Sequence, residues 1–340
     1  MPTPTSRDTE RPAIYRTPQE KRESGLQREL TPWLQFSGLI EGEVLTHRAQ
    51  TDSSNATATL REKSATLQLG FIALLNERTE AEVILQYDSD PDRIEAEEAF
   101  ISFDFEPFEL SLGKQFTPFG LYYSNFITGP MLEFGETRAP HMAQLSFAYA
   151  DQLELNIAAY DGWAQPQGQG DRLDWAIGFE HLPLHGFSWG LSYQTDLADA
   201  DEHLIEDNRY AQRVSALSGF VSGYTEYFGC SFEILSAMGE FQEQDAKYNR
   251  PQAWNLEFSY FPPAMDFDVA LRLEMSRELE DQPEVQYGVA TTWYLNRQII
   301  VMLEYLHGRF RTETDVTERE ESFSEIQRVN SLNAKLSIEF

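Results

Sequence analysis

The chain has one cysteine, Cys230, among 340 residues, so no disulfide can form within it. It has no uninterrupted apolar run of about 18 residues, which leaves no transmembrane helix to read. Positive charge is scarce. Lys and Arg number 26 against 56 Asp and Glu, for a net charge of -30. Phosphate backbones are held by cationic surface, so this balance argues against a nucleic-acid partner. The stretch after Met1 is polar and lacks the apolar core of a secretory signal. An exported chain needs one, and the expectation is that it was removed before Met1.

What the chain has is alternation. Leu332, Ala334, Leu336, Ile338 and Phe340 alternate with Asn333, Lys335, Ser337 and Glu339. A β-strand sends successive side chains to opposite faces, so this segment has one apolar and one wet face. The same period recurs from Leu34–Val44 onward. It is cleanest where Phe267, Val269, Leu271, Leu273 and Met275 alternate with Asp268, Arg272, Glu274 and Ser276. About 16 such strands can be marked, the weakest near Val214. Cys230 shares the apolar parity of Phe228 and Phe232.

The links between strands alternate in length. Asn76–Arg78, Glu106–Pro107, Asp151–Gln152, Leu182–Gly186, Tyr224–Glu226, Phe261–Asp266 and Asn296–Arg297 are short. Residues 48–58, 116–142, 162–172, 197–212, 240–252, 278–284 and 311–327 form longer, mostly polar links, and only 89–93 is short in that set. Tyr and Trp recur on the apolar parity near strand ends, where amphipathic rings meet a membrane–water boundary. These features predict an all-β fold, a transmembrane antiparallel barrel of about 16 strands. Residues 1–30 are expected to be a flexible periplasmic leader and 31–340 the barrel, a multi-pass protein of a Gram-negative cell outer membrane. Outer-membrane lipid and lipopolysaccharide are then its surroundings.

The inward parity carries Glu41, Glu43, Glu82, Glu257, Asp268, Arg272, Glu274, Glu304 and Lys335. A barrel this wide is not filled by its own side chains, so these residues are expected to line water. The 116–142 link is the longest and too apolar to leave exposed, with Phe116, Phe119, Leu121, Phe126, Met131, Leu132 and Phe134. It is expected to fold into the lumen as the third external loop. Glu133, Glu136, Arg138, Tyr122 and Tyr123 would then form the pore constriction.

Three stretches carry a family resemblance. Gly113-Lys114-Gln115-Phe116-Thr117-Pro118-Phe119-Gly120 looks like the G-[KR]-x-x-x-P-F-G run of phosphate-selective porins and LbtU-type siderophore porins. Gly129-Pro130-Met131-Leu132-Glu133-Phe134-Gly135-Glu136-Thr137-Arg138 is similar to the D-P-L-x-x-E-L-G-E-T-R stretch of the LbtU-type group, with Gly129 in place of Asp. Ala99-Phe100-Ile101 resembles the strand that precedes these motifs there. The segment ending at Phe340 resembles the closing strand of outer-membrane barrels, which implies recognition by the barrel-assembly machinery. The resemblance implies a porin that lets small solutes, above all ferric siderophore, cross by passive or facilitated diffusion. No TonB box or plug is visible. It implies no cofactor and leaves open a homo-oligomer. The acidic inward parity argues against a phosphate pore, which would concentrate Arg and Lys at its narrows.

Two other classes were weighed. A barrel enzyme would need a nucleophile and a base, yet His47, His141, His181, His185, His203 and His307 fall in no such signature. His203 with Asp199, Asp201, Glu202 and Asp207 could gather a metal, but reads more simply as a solvated acidic loop. No catalytic or metal residue is therefore assigned. A structural barrel would differ from a channel in passing no current.

Overall fold

A computed structural model describes residues 28–51, 57–90, 92–150, 152–166, 173–205, 209–263, 265–296, 298–318 and 321–340. The proposed leader lies almost wholly outside the described residues. Sixteen antiparallel strands close into a barrel. They are β1 (Leu34–Thr51), β2 (Thr57–Asn76), β3 (Thr79–Ser89), β4 (Asp92–Phe105), β5 (Phe108–Phe116), β6 (Arg138–Tyr149), β7 (Leu153–Asp161) and β8 (Asp174–Leu184). There follow β9 (Phe187–Gln194), β10 (Ala216–Tyr224), β11 (Phe228–Ala237), β12 (Gln252–Tyr260), β13 (Phe267–Arg277), β14 (Val285–Tyr294), β15 (Ile299–Glu318) and β16 (Glu321–Glu339). A short extra strand, Arg28–Thr31, pairs with the start of β1.

Every strand pairs with its sequence neighbours, and β16 pairs with β1 to close the ring. In that seam Lys335 faces Glu43 and Ile338 faces Ile40. Phe340 and Gly38 exchange backbone hydrogen bonds of 2.7 and 2.9 Å. The Phe340 ring lies over Gly38, in the space a Cβ would take.

Parity decides which face each residue occupies. Along β13, Leu271, Leu273 and Met275 are exposed outside, while Ala270, Arg272, Glu274 and Ser276 are buried inside. Leu217, Val221, Phe232, Leu256, Phe258, Val289, Leu303 and Leu336 extend the exposed apolar belt. A soluble barrel has no reason to hold so much continuous apolar surface in water, whereas lipid accepts it. Aromatic pairs sit on the outer parity at both ends of the strands. Trp175 and Tyr193, 5.0 Å apart, mark the long-loop end, and Phe228 and Tyr260, 5.3 Å apart, mark the short-turn end.

Two expected loops are partly strand. The links at 48–58 and 311–327 hold backbone pairs such as Gln50 with Thr57 and Glu318 with Glu321. Once a hairpin rises beyond lipid, both of its faces can be polar. Pairing then continues where the hydrophobic period has ended.

Candidate functional site

The interior is organised by the third long link, L3 (residues 117–137). It leaves β5, folds into the barrel, and crosses the wall formed by β9 to β15 before returning to β6. Its backbone amides end on wall carboxylates. Glu233 accepts from the amides of Leu121 and Tyr122 at 2.6 and 3.0 Å. Glu257 accepts from Ser124 Oγ at 2.7 Å and from the amide and Nδ2 of Asn125 at 2.9 and 2.8 Å. Glu304 accepts from the amides of Ile127 and Thr128 at 2.6 and 3.1 Å, and from Thr128 Oγ1 at 2.5 Å. Glu274 accepts from the Met131 amide at 2.8 Å. An irregular loop inside a barrel must find acceptors for its N–H groups, and charged acceptors make the stronger bonds.

One cation joins this cradle. Arg272 is buried, with Nε 2.9 Å from Glu257 and Nη1 3.5 Å from Glu274. Its Nη1 also donates to the Gly129 carbonyl at 3.1 Å, and its Nη2 donates to Ser124 Oγ. Both limbs of L3 are thereby tied to one guanidinium. Phe126 fills the space beside it against Ala270, Ala290 and Leu306. Small residues on β13 and β14 make the pocket that this ring enters.

The apolar residues of L3 complete an internal core. Phe119, Met131, Leu132 and Phe134 pack with Leu235 and Ala253 of the wall and with Leu197, Val214, Phe241 and Leu279 of the neighbouring long links. Met131–Gly135 forms a short 3-10 helix in this core. Gly120 takes φ of 74° where the chain turns, and the Tyr122 phenol lies in the space its Cβ would need.

L3 also reaches β16, where Asn333 Nδ2 donates to Thr128 Oγ1 at 3.3 Å, and the inward side of β16 and of β1 to β4 carries polar pairs of its own. There Lys335 Nζ is 3.3 Å from Glu41 and 3.4 Å from Glu43, and all three are half-buried. Gln68 Nε2 reaches Gln86 at 2.5 Å and Glu97 at 2.8 Å. At the long-loop end a cavity of about 490 Å³ lies between L3 and the upper strands; its lining includes Glu133, Glu202, Glu278, Glu280 and Asp281. The charge facing this space is mostly negative. Burial and the neighbouring Glu136 push the Glu133 carboxyl up to about 8.

No family model matches the sequence. The chain is 26% identical over 284 residues to the UPF0422 protein of Coxiella burnetii, a match that takes in 76% of this chain. The match spans 60% of the length of that curated relative. In structure the barrel is similar to the anion-selective porin from Comamonas acidovorans, at 12% identity and a TM-score of 0.64, over 90% of this chain and 99% of that one. It is also similar to the outer-membrane channel DcaP of Acinetobacter baumannii, at 11% identity and a TM-score of 0.63, over 93% and 99% of the two chains. Pseudomonas putida OprB follows at 9% and 0.61, over 91% and 94%. The chain shares the 16-strand barrel fold of these outer-membrane proteins.

Within this barrel several expected site residues take other places. Tyr122 and Tyr123 do not line a passage; they are 7% and 4% exposed. Tyr122 joins the core under L3, and Tyr123 packs with Leu121, Tyr224 and Phe261. Arg272, Glu257, Glu274 and Glu304 point inward as their parity requires, but they do not line water. L3 covers them and takes up their hydrogen-bonding capacity. Glu82 is buried as well. Asp268 is half-buried and accepts from the Tyr294 hydroxyl at 2.8 Å. Arg138 lies 3.3 Å from Asp201 and 3.7 Å from Glu97, over the Phe116 ring. The Glu136 carbonyl accepts from the Asp201 amide at 2.8 Å.

Sequence reasoning passed over Glu233, although its place between Phe232 and Ile234 gives it the inward parity. The acidic set around His203 is dispersed. Asp201 pairs with Arg138, His203 stacks edge-on against Trp163, and Asp207 lies outside the described residues. Asp199 instead meets Asp174 and Asp196.

Proposed function

We propose that the barrel is a diffusion channel for small solutes, with its passage between L3 and the wall of β1 to β5 and β16. The observation that carries this reading is the carboxylate cradle. L3 is held against one side of the interior by Glu233, Glu257, Glu274 and Glu304, which supports a passage on the side away from these carboxylates. In this reading Glu133 and Glu136 border the narrowing, with Arg138 held beside them by Asp201 and Glu97, and Glu41, Glu43 and Lys335 line the strand seam of β1 and β16. Negative charge focused in a low-dielectric bore raises the local concentration of cations, so the channel favours cations over anions.

Ferric siderophore is the narrower reading, supported by the resemblance of residues 113–138 to LbtU-type porins. Iron complexes that are neutral or cationic suit this lining; strongly anionic ones do not. Passage is downhill and needs no TonB coupling. Purified barrel in a planar bilayer under a KCl gradient is expected to conduct, with a reversal potential of cation-selective sign. Deleting residues 121–134 is expected to raise single-channel conductance. A silent bilayer would overturn the channel, and an anion-selective potential would overturn the charge argument. Iron uptake from a cationic siderophore complex by a deletion strain, with and without this gene, decides the solute.

A further inference from the structure

Three carboxylates meet at the long-loop end of β7 to β9. Asp174 opens β8, while Asp196 and Asp199 lie in the link after β9 (residues 195–215), flanking and closing the short 3-10 turn Leu197–Asp199. One oxygen from each lies within 4.8 Å of the others. The three side chains are buried, at 1%, 0% and 2% exposure. Arg213 offsets part of the charge, 2.8 Å from Asp174 and 3.8 Å from Asp196. That leaves a formal surplus of two negative charges on three buried carboxylates.

The hydrogen bonds do not close the account. One oxygen of Asp199 has no hydrogen-bond donor, and one of Asp196 has none closer than Arg213 Nε at 3.8 Å. Their other oxygens accept from the amides of Ala198 and Ala164, each at 3.1 Å. A third group points the same way. Tyr160 of β7 faces Asp174 in the strand register and is fully buried, and its hydroxyl is also without a partner. All three carboxylates act electrostatically on that hydroxyl. Buried polar groups of this kind are normally satisfied, and several unsatisfied oxygens around one point need an explanation.

We infer that Asp174, Asp196 and Asp199, with the Tyr160 hydroxyl beside them, form a binding site for one divalent cation, Ca²⁺ or Mg²⁺. The donors are all hard oxygens, which suit these ions and not softer metals. Oxygens on opposite sides of a Ca²⁺ ion lie about 4.8 Å apart, twice its usual bond length. Two positive charges cancel the surplus. The ion would tie the links after β7 and β9 together next to the root of L3. That root is reached through Gln194, whose Nε2 donates to the Asp196 carbonyl at 2.7 Å and to Thr137 Oγ1 at 2.9 Å.

Equilibrium dialysis of the chelator-stripped barrel in detergent against Ca²⁺ tests the site. One ion per barrel is expected, with a dissociation constant on the order of 10⁻⁴–10⁻³ M, as in extracellular Ca²⁺ modules. Asp196→Asn and Asp199→Asn should each weaken binding at least about tenfold, one pK-sized step in free energy. Asp245→Asn, on a separate acidic link, should bind like the parent. Heat-modifiable migration on gels checks that each variant is folded. Tb³⁺ in the same site should emit by transfer from Tyr160, and Tyr160→Phe should lose most of that emission. Absence of saturable binding by the parent overturns the site, as does equal binding by the Asp196→Asn/Asp199→Asn double variant. Unchanged Tb³⁺ emission in Tyr160→Phe also overturns it, because the ion then lies elsewhere.

Discussion

The guanidinium of Arg272 lies 4.2 Å from the centre of the Phe126 ring, so a wall cation caps the aromatic that anchors L3. The same side chain bonds to Ser124 before the ring and to Gly129 after it. Arg272→Met removes those ties and strands Glu257 and Glu274 without their counter-ion. Breaking a buried pair in this way costs about 3–5 kcal/mol. Guanidinium unfolding should report the loss, and bilayer recordings should show larger, noisier currents as L3 detaches. Currents identical to the parent would remove Arg272 from the anchoring of the loop.

The wall carboxylates can be tested one at a time. In Glu304→Gln an amide NH₂ replaces one oxygen that now accepts from Ile127 and Thr128. An unsatisfied buried donor costs about 1–3 kcal/mol. Glu233→Gln should do the same at Leu121 and Tyr122. The two sites lie four strands apart, roughly 19 Å at normal strand spacing, so their effects should add. Hydrogen exchange of the L3 amides measures each site separately. Protection that survives both changes would argue against the cradle.

The pH dependence of L3 follows from Glu133. It faces Glu136 on its own turn, Glu202 from the neighbouring link, and Arg272 and Glu274 from β13. In the docked loop its carboxyl is pushed up to about 8, whereas in a released loop it returns to its ordinary value near 4.5. The protonated form therefore favours docking. That contribution is complete below the ordinary value, falls as pH rises, and is gone above about 8. Conductance noise should grow between about pH 4.5 and 8, and Glu133→Gln should flatten the change. A Gln variant that keeps the parent's pH profile would assign the effect to another group.

Two neighbours on β13 should fail in opposite ways. Leu271 is 54% exposed on the outer face, and Ala270 is 4% exposed beside Phe126. Leu271→Arg places a charge in lipid, at a cost of about 2–4 kcal/mol near mid-bilayer. Ala270→Leu overfills the Phe126 pocket, at about 1–3 kcal/mol, and should also shift conductance. Unfolding from lipid vesicles checks both. An unaffected Leu271→Arg would mean that this face does not meet hydrocarbon.

The wall of this protein was legible in its sequence because lipid imposes a strict rule. Residues such as Leu271, Leu273 and Met275 must alternate with polar ones for as long as the strand stays in hydrocarbon. The rule lapses above the membrane, which is why the upper parts of β1, β2, β15 and β16 read as loops. The inward fold of L3 was legible from Phe119, Phe126, Leu132 and Phe134, whose exposure would be costly. What L3 leans on was not legible. Leu121 and Glu233 are 112 residues apart, and parity says only that Glu233 points inward. Glu257 and Glu304 read as water-lining for the same reason, since nothing local shows that a distant backbone will cover them. Asp196 was missed because Asp174 and Tyr160 reach it from two other strands.

The contact between Gly38 and Phe340 has a kinetic consequence. Most strands can find a partner as soon as the next hairpin forms, but β1 and β16 must wait for each other across nearly the whole chain; Ser337 and Glu41, bonded in the seam, are 296 positions apart. Until they meet, both carry a bare row of amides and carbonyls, open to pairing with a second copy. Joining such remote segments is the slow, non-local event in assembly. A methyl group at position 38 would hold the ring of residue 340 away at that moment. Its main effect should be a longer-lived open sheet that is prone to aggregate.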